Sequence, residues 1–228
     1  MKSNKKIGRI LGFLFLLVFI IGVTMYQFLQ SPLFMDNFLS ATSSSANQII
    51  ISSLLGVLSG VLSVIISVLL LPIFKRYNAN LAYSYFAFSI LYFVAIVIDN
   101  VSVLSLLELS KEYVKNGGEN SDSFKIIGTV LYGRHWWTHY FTLLISCFPV
   151  FVLYYTLYLS KLVPRIISVI GILAVIMMFT EELFSMFGFG ISMNMLLPMG
   201  LIQLFLPFWL LYKGLNSSML ETEIKEQN

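Results

Sequence analysis

From Asn37 to Phe74 the chain carries no charged residue, and "IIISSLLGVLSGVLSVIISVLLLPIF" (49–74) is almost wholly apolar or small. A water-facing surface cannot be built from such a run. About 20 apolar residues in a helix cross the ~30 Å hydrocarbon core of a bilayer. Six segments meet that length, roughly 10–29, 49–73, 81–107, 137–160, 166–187 and 192–212. No water is present at that depth to satisfy backbone groups, so these segments must be helical and sheet is not expected. Composition agrees, because only 11% of residues are charged, against about a quarter in a soluble domain. The expected fold is an all-α polytopic membrane protein, six transmembrane helices in one bundle over residues 1–216. A short polar tail, 217–228, follows.

The basic residues give the orientation. Lys2, Lys5, Lys6, Arg9, Lys75, Arg76, Lys161, Arg165, Lys213 and Lys225 fall at the ends and even-numbered connections. Lys111, Lys115, Lys125 and Arg134 fall on the other side, offset by Glu108, Glu112, Glu119 and Asp122. Ten against four places both termini in the cytoplasm by the positive-inside rule. Trp136, Trp137 and Tyr140 at one edge, with Trp209 and Tyr212 at the other, fit the two aromatic belts. The basic start followed by an apolar run looks like a secretory signal. The run is too long for one and no small-x-small cleavage site follows, so it reads as an uncleaved first span.

The one sizeable connection is 108–136, expected outside as a solvated loop. Gly117 and Gly118 should break the third helix, and "FKIIGTVLY" should lie along the interface as a separate surface segment. In the second span Gly56 and Gly60, with Ser63 on the same stripe, let another helix approach closely. Tight packing within the chain is preferred over a dimer face. The lipid bilayer is the expected partner, a homo-oligomer or another membrane protein is the further one the stripe allows, and no basic block for nucleic acid occurs. A lone cysteine, Cys147, excludes an internal disulfide framework and a cysteine-based zinc motif. No cofactor is called for.

The stretches "LLLPIFKRYNANLAYSYFAF", "LSLLELSKEY", "LYLSKLVPRIISVIGIL" and "LPMGLIQLFLPFWLLYKGLN" resemble the bacterial membrane family called domain of unknown function 4386. The most specific pieces are Lys161-Leu162-Val163-Pro164-Arg165 and Trp209-Leu210-Leu211-Tyr212-Lys213-Gly214. The resemblance implies six or so spans in a cell membrane and no assigned activity. It also implies a polar set of Arg and Glu in span three, a His before span four and a Glu in the last span. Here those positions hold Ser89, Tyr92, His135 and Gln203, so only the histidine remains.

Depth singles out the candidate site residues. A helical rise of 1.5 Å puts Glu181 about 22 Å, and Asp99 about 27 Å, from the cytoplasmic end of their spans. His135 and His139 start span four at the same outer level, one helical turn apart. Asp99, His135, His139, Glu181 and Glu182 therefore form a candidate outer-leaflet polar site. Glu181 shares a face with the small residues Ala174, Ser185 and Gly188, so it should point into the bundle beside Asp99 and His135. Glu182 shares a side with Val175, Phe179 and Met186 and should reach toward the outer interface.

Intramembrane ionisable groups are costly and often functional. The leading reading is a non-enzymatic integral membrane protein that binds or moves a small solute or lipid, or protects the envelope. A second is an intramembrane metal-dependent hydrolase using the outer His and acid groups, with His135 and His139 as candidate metal ligands. A third is a helix-packing subunit of a membrane complex.

Overall fold

The computed structural model describes residues 2–117, 122–189 and 193–216. Gly118, Glu119, Lys225 and the expected tail 217–228 lie outside these residues. The described residues form helices and no strand. Helix α1 (Lys2–Val23) continues into a π-helical turn (Thr24–Leu29) and a 3-10 turn (Ser31–Phe34), and a short α2 (Phe38–Ser44) follows. Then come α3 (Ala46–Phe74), α4 (Ala79–Lys115), α5 (Asp122–Ser160), α6 (Arg165–Met186) and α7 (Leu197–Lys213). Six segments are long and apolar enough to cross a membrane, with mean hydropathy from 1.7 to 2.7. The expected helical class and six membrane-length apolar helices are therefore observed, and the protein is an integral membrane protein.

One expectation needs correction. Residues 108–136 are mostly helix, not loop, because α4 runs on to Lys115 and α5 begins at Asp122. At 1.5 Å per residue these helices are about 55 Å long, well beyond a ~30 Å core. Pairs three residues apart line the extensions, Lys111 with Glu108 at 2.7 Å, Lys115 with Glu112 at 3.3 Å and Lys125 with Asp122 at 4.0 Å. Each such exposed pair adds only tenths of a kcal/mol to a helix, about 0.3–0.5. "FKIIGTVLY" is part of α5 and not a separate surface helix. Gly128 packs against Leu39 of α2, and Phe124, Leu131 and Tyr132 border the same apolar cluster. Gly117, at φ 88°, takes the left-handed conformation just after α4, where glycine is least strained.

α3 shows how a membrane helix sorts its faces. Ile51, Leu54, Leu58, Val61, Ile65 and Val68 recur every three or four residues and are all exposed. Ser52, Ser59, Ile66, Ser67 and Leu70 are buried. The serines turn inward beside Ile66 and Leu70, and a full stripe of large apolar side chains faces outward, because lipid is the solvent.

The chain divides into two compact units. The first comprises Met1–Phe19, Leu62–Tyr92 and Leu143–Asn228, and the second Ile20–Val61 and Phe93–Thr142. The first has a large apolar core that includes Leu11, Phe74, Tyr85, Tyr154, Leu206 and Leu210. Glycines tighten it. A Cβ added at Gly8 would lie 2.5 Å from the Leu215 nitrogen, one at Gly12 would lie 2.8 Å from the Pro207 oxygen, and one at Gly171 would strike the Tyr154 ring. In the Lys161–Arg165 link, Leu162 and Val163 are buried, and the Leu162 carbonyl accepts from the Asn216 N–H at 2.9 Å.

The second unit has a smaller apolar cluster of Leu33, Leu39, Ile49, Val103, Leu106, Leu107 and Tyr113. Gly60 packs on Phe93 and Ile96, and a Cβ at Gly56 would lie 2.5 Å from the Asn100 amide nitrogen. The glycine stripe thus seats α4 against α3 within the chain.

Candidate functional site

The polar centre lies in the second unit. α5 carries His135, Thr138 and His139 at spacings of three and four, which puts them on one face. α4 supplies Asp99. Its Oδ1 lies 3.4 Å from Nδ1 of His135, and its Oδ2 lies 3.6 Å from Nδ1 of His139. These separations are within ion-pair reach and longer than a formed hydrogen bond, so the Nδ1 of His135 has no hydrogen-bond partner. Thr138 Oγ1 is 2.8 Å from Asp99 Oδ1 and 2.9 Å from the His135 carbonyl, and its single proton is shared between these acceptors. One turn on, Thr142 Oγ1 sits 2.8 Å from the Thr138 carbonyl and 3.2 Å from the Ala95 carbonyl of α4, which fixes the register of the two helices.

Access is graded. His135 keeps 1% of its side-chain exposure, Asp99 14% and His139 17%. The carboxylate and the second imidazole are therefore partly exposed, while the first imidazole is enclosed.

The π-helical turn supplies the remaining wall. Its wider winding has Gln30 N–H donating to the Met25 carbonyl at 2.8 Å, five residues back. Gln48 of α3 donates its amide to the Phe28 and Leu29 carbonyls at 3.0 and 3.1 Å, covering acceptors at the end of that turn. This presents Tyr26, whose ring stacks on His139 at 5.1 Å and 15°. Phe34 packs on Tyr26 and on Trp136, and Trp136 meets His139 edge-on. π-helical turns recur at functional sites because they re-aim side chains that a regular helix would place elsewhere.

Asn100, next to Asp99, is buried. It donates to the Ile96 carbonyl at 2.8 Å, but its Oδ1 has no partner. Thr42, Ser52, Ser53 and Ser102 are buried in the same unit with hydroxyls that likewise lack partners.

The structure thus brings together Asp99, His135 and His139. Glu181 and Glu182 belong to the first unit, where Ser185 Oγ donates to Glu181 Oε1 at 2.9 Å. Both glutamates are buried, at 6% and 2% exposure, so Glu182 does not reach toward the interface as expected. The buried face of α6 is a stripe of paired positions, Ile167 and Ser168, Ala174 and Val175, Glu181 and Glu182. A single-helix wheel makes this face narrower than it is and leaves Val175 outside it. Sequence reasoning also missed Tyr26 and Thr138. Thr138 had a signal, since it lies within the His135-Trp136-Trp137-Thr138-His139 run, whereas the π-helical turn had none. Among the described residues no group of three His, Cys, Asp or Glu is disposed to hold a metal ion. Asp99 turns a different oxygen to each of two rings whose centroids are 6.1 Å apart.

With the six spans and this centre in place, one comparison is decisive, a family profile that matches residues 10–214. The chain belongs to the family described as "Domain of unknown function (DUF4386)". The matched region contains the whole Asp99–His135–His139 centre and both glutamates. No curated protein matches the chain, and no solved structure does. Membership in DUF4386 therefore agrees with the architecture and brings no reaction with it.

Proposed function

We propose that this DUF4386 protein is a non-enzymatic, multi-pass protein of the cell membrane that binds a small polar solute at the Asp99–His135–His139 centre. The observation that carries the reading is one carboxylate facing two imidazoles inside membrane-length helices, with Asp99 and His139 still partly exposed. Burying three ionisable groups in a membrane segment is costly, and groups so placed often serve a ligand or an ion. The centre offers acceptor oxygens, ring nitrogens and an aromatic wall from Tyr26, a set suited to a small cationic or hydrogen-bonding solute. Of the polar set that the family resemblance implies, His135 is the member kept, and this chain surrounds it with Asp99, Thr138 and His139.

The basic asymmetry supports termini in the cytoplasm and a centre open to the outside. Cysteine labelling in intact cells tests that topology, using Asn78→Cys and Asn116→Cys in a Cys147→Ser background. Labelling at 116 and not at 78 is expected, and the reverse pattern overturns it. The binding reading is tested by melting the purified protein with a panel of small cations and neutral polar solutes. At least one solute should raise the melting temperature of the wild type and not of Asp99→Asn, while Glu182→Gln keeps the response. A panel in which no solute separates wild type from Asp99→Asn contradicts the reading.

A further inference from the structure

The first turns of α1 form an open groove of about 450 Å³ lined by Lys5, Lys6, Arg9, Ile10 and Phe13. We infer that this groove is a binding site for the phosphate headgroup of an anionic phospholipid.

The groove's three cations are exposed, and among the described residues none has an acidic or aromatic partner. Of the nine other basic side chains that are described, six do have one, and Arg76, Arg134 and Lys161 do not. Lys75, Arg165 and Lys213 lie over the rings of Tyr83, Tyr158 and Tyr212 at 5.0, 5.2 and 4.9 Å. Lys111, Lys115 and Lys125 pair with carboxylates within 4.0 Å. Lys5 and Arg9 are also like charges four residues apart on one helix, a repulsion that an anion seated between them relieves.

The lining distinguishes a lipid from a free anion. Ile10 and Phe13 are 43% and 58% exposed and continue the same groove along the helix. From Lys6 to Phe13 the rise is about 10 Å, enough to pass from the headgroup level to the edge of the hydrocarbon. Cations above and apolar side chains below match a phosphate carrying acyl chains. On the other face of the same turns, Gly8 lies against the backbone of Gly214 and Leu215, which holds the groove on a packed helix.

The test uses the full chain, purified and titrated with phosphatidylglycerol, phosphatidylcholine of the same acyl chains, or inorganic phosphate, with melting temperature and native mass spectrometry as readouts. Phosphatidylglycerol should stabilise the wild type and remain bound, and the other two should not. The triple variant Lys5→Gln, Lys6→Gln, Arg9→Gln should bind phosphatidylglycerol at least about tenfold more weakly, since each basic group near an anionic surface contributes of order a factor of several. Its melting temperature without lipid should stay unchanged, because these side chains are exposed. The charge control Lys75→Gln, Arg76→Gln should keep the lipid response. Equal responses to the two lipids, an equal response to inorganic phosphate, a triple variant that still binds, or a control that loses binding equally would each overturn the inference.

Discussion

The two compact units differ in what fills their interiors. The first is packed with large apolar side chains, and its glycines let helices meet at van der Waals distance. The second has a small apolar cluster and a polar interior. Among its described residues, six buried side-chain polar atoms lack hydrogen-bond partners, on Thr42, Ser52, Ser53, Asn100, Ser102 and His135. An unsatisfied buried polar group costs about 1–3 kcal/mol, so natural proteins keep few of them and each calls for an explanation. These six share the unit that holds Asp99, His135 and His139, which fits the proposal that this unit receives something polar. On the proposed reading, the contrast is between a part whose residues hold the fold and a part whose residues serve a ligand.

The largest effect is expected in the first unit. Gly171→Leu drives a side chain into the buried Tyr154 ring and should cost about 3 kcal/mol or more, seen as a lowered melting temperature in detergent. A change of under a degree would mean that this core is looser than its contacts require. Gly60→Leu in the second unit meets Phe93 and Ile96, whose side chains can partly yield, so a smaller loss of about 1–3 kcal/mol is expected. If Gly60→Leu proved as harmful as Gly171→Leu, the second unit would depend on packing as much as the first.

Polar substitutions in the second unit should separate stability from binding. Asp99→Asn is nearly isosteric and keeps an oxygen for Thr138, so the melting temperature should move by no more than about 1 kcal/mol equivalent. Solute binding should nevertheless be lost. The smallest effect belongs to Ser53→Ala, which removes a hydroxyl that has no partner and should leave stability unchanged or raise it by up to about 1 kcal/mol. A clear loss of stability there would show that the hydroxyl is satisfied in the membrane and would weaken the contrast between the units.

The spans were legible because the bilayer imposes a length and forbids charge, and α3 obeys both rules. The ends of α4 and α5 were not. Charged residues such as Glu108, Lys111, Glu112 and Lys115 look like a solvated loop until their spacing of three is seen to line one helix. Asp99, His135 and His139 could be placed at one level from helical rise alone. Tyr26 could not, because no periodicity marks the π-helical turn, whose Phe28 and Leu29 carbonyls accept from Gln48 of another helix. Glu182 was misplaced because the width of a buried face depends on the neighbouring helices, which a single-helix wheel does not contain.

The most direct test of a ligand-receiving second unit is the reactivity of its two histidines toward diethyl pyrocarbonate in the purified protein, followed by mass spectrometry with and without the solute panel. With 17% against 1% exposure, His139 should be modified readily and His135 much more slowly. Any solute that stabilises the wild type and not Asp99→Asn should slow modification of His139. Modification of His139 at the same rate with every solute, including one that raises the melting temperature, would show that the centre is not where the solute binds and would contradict the account.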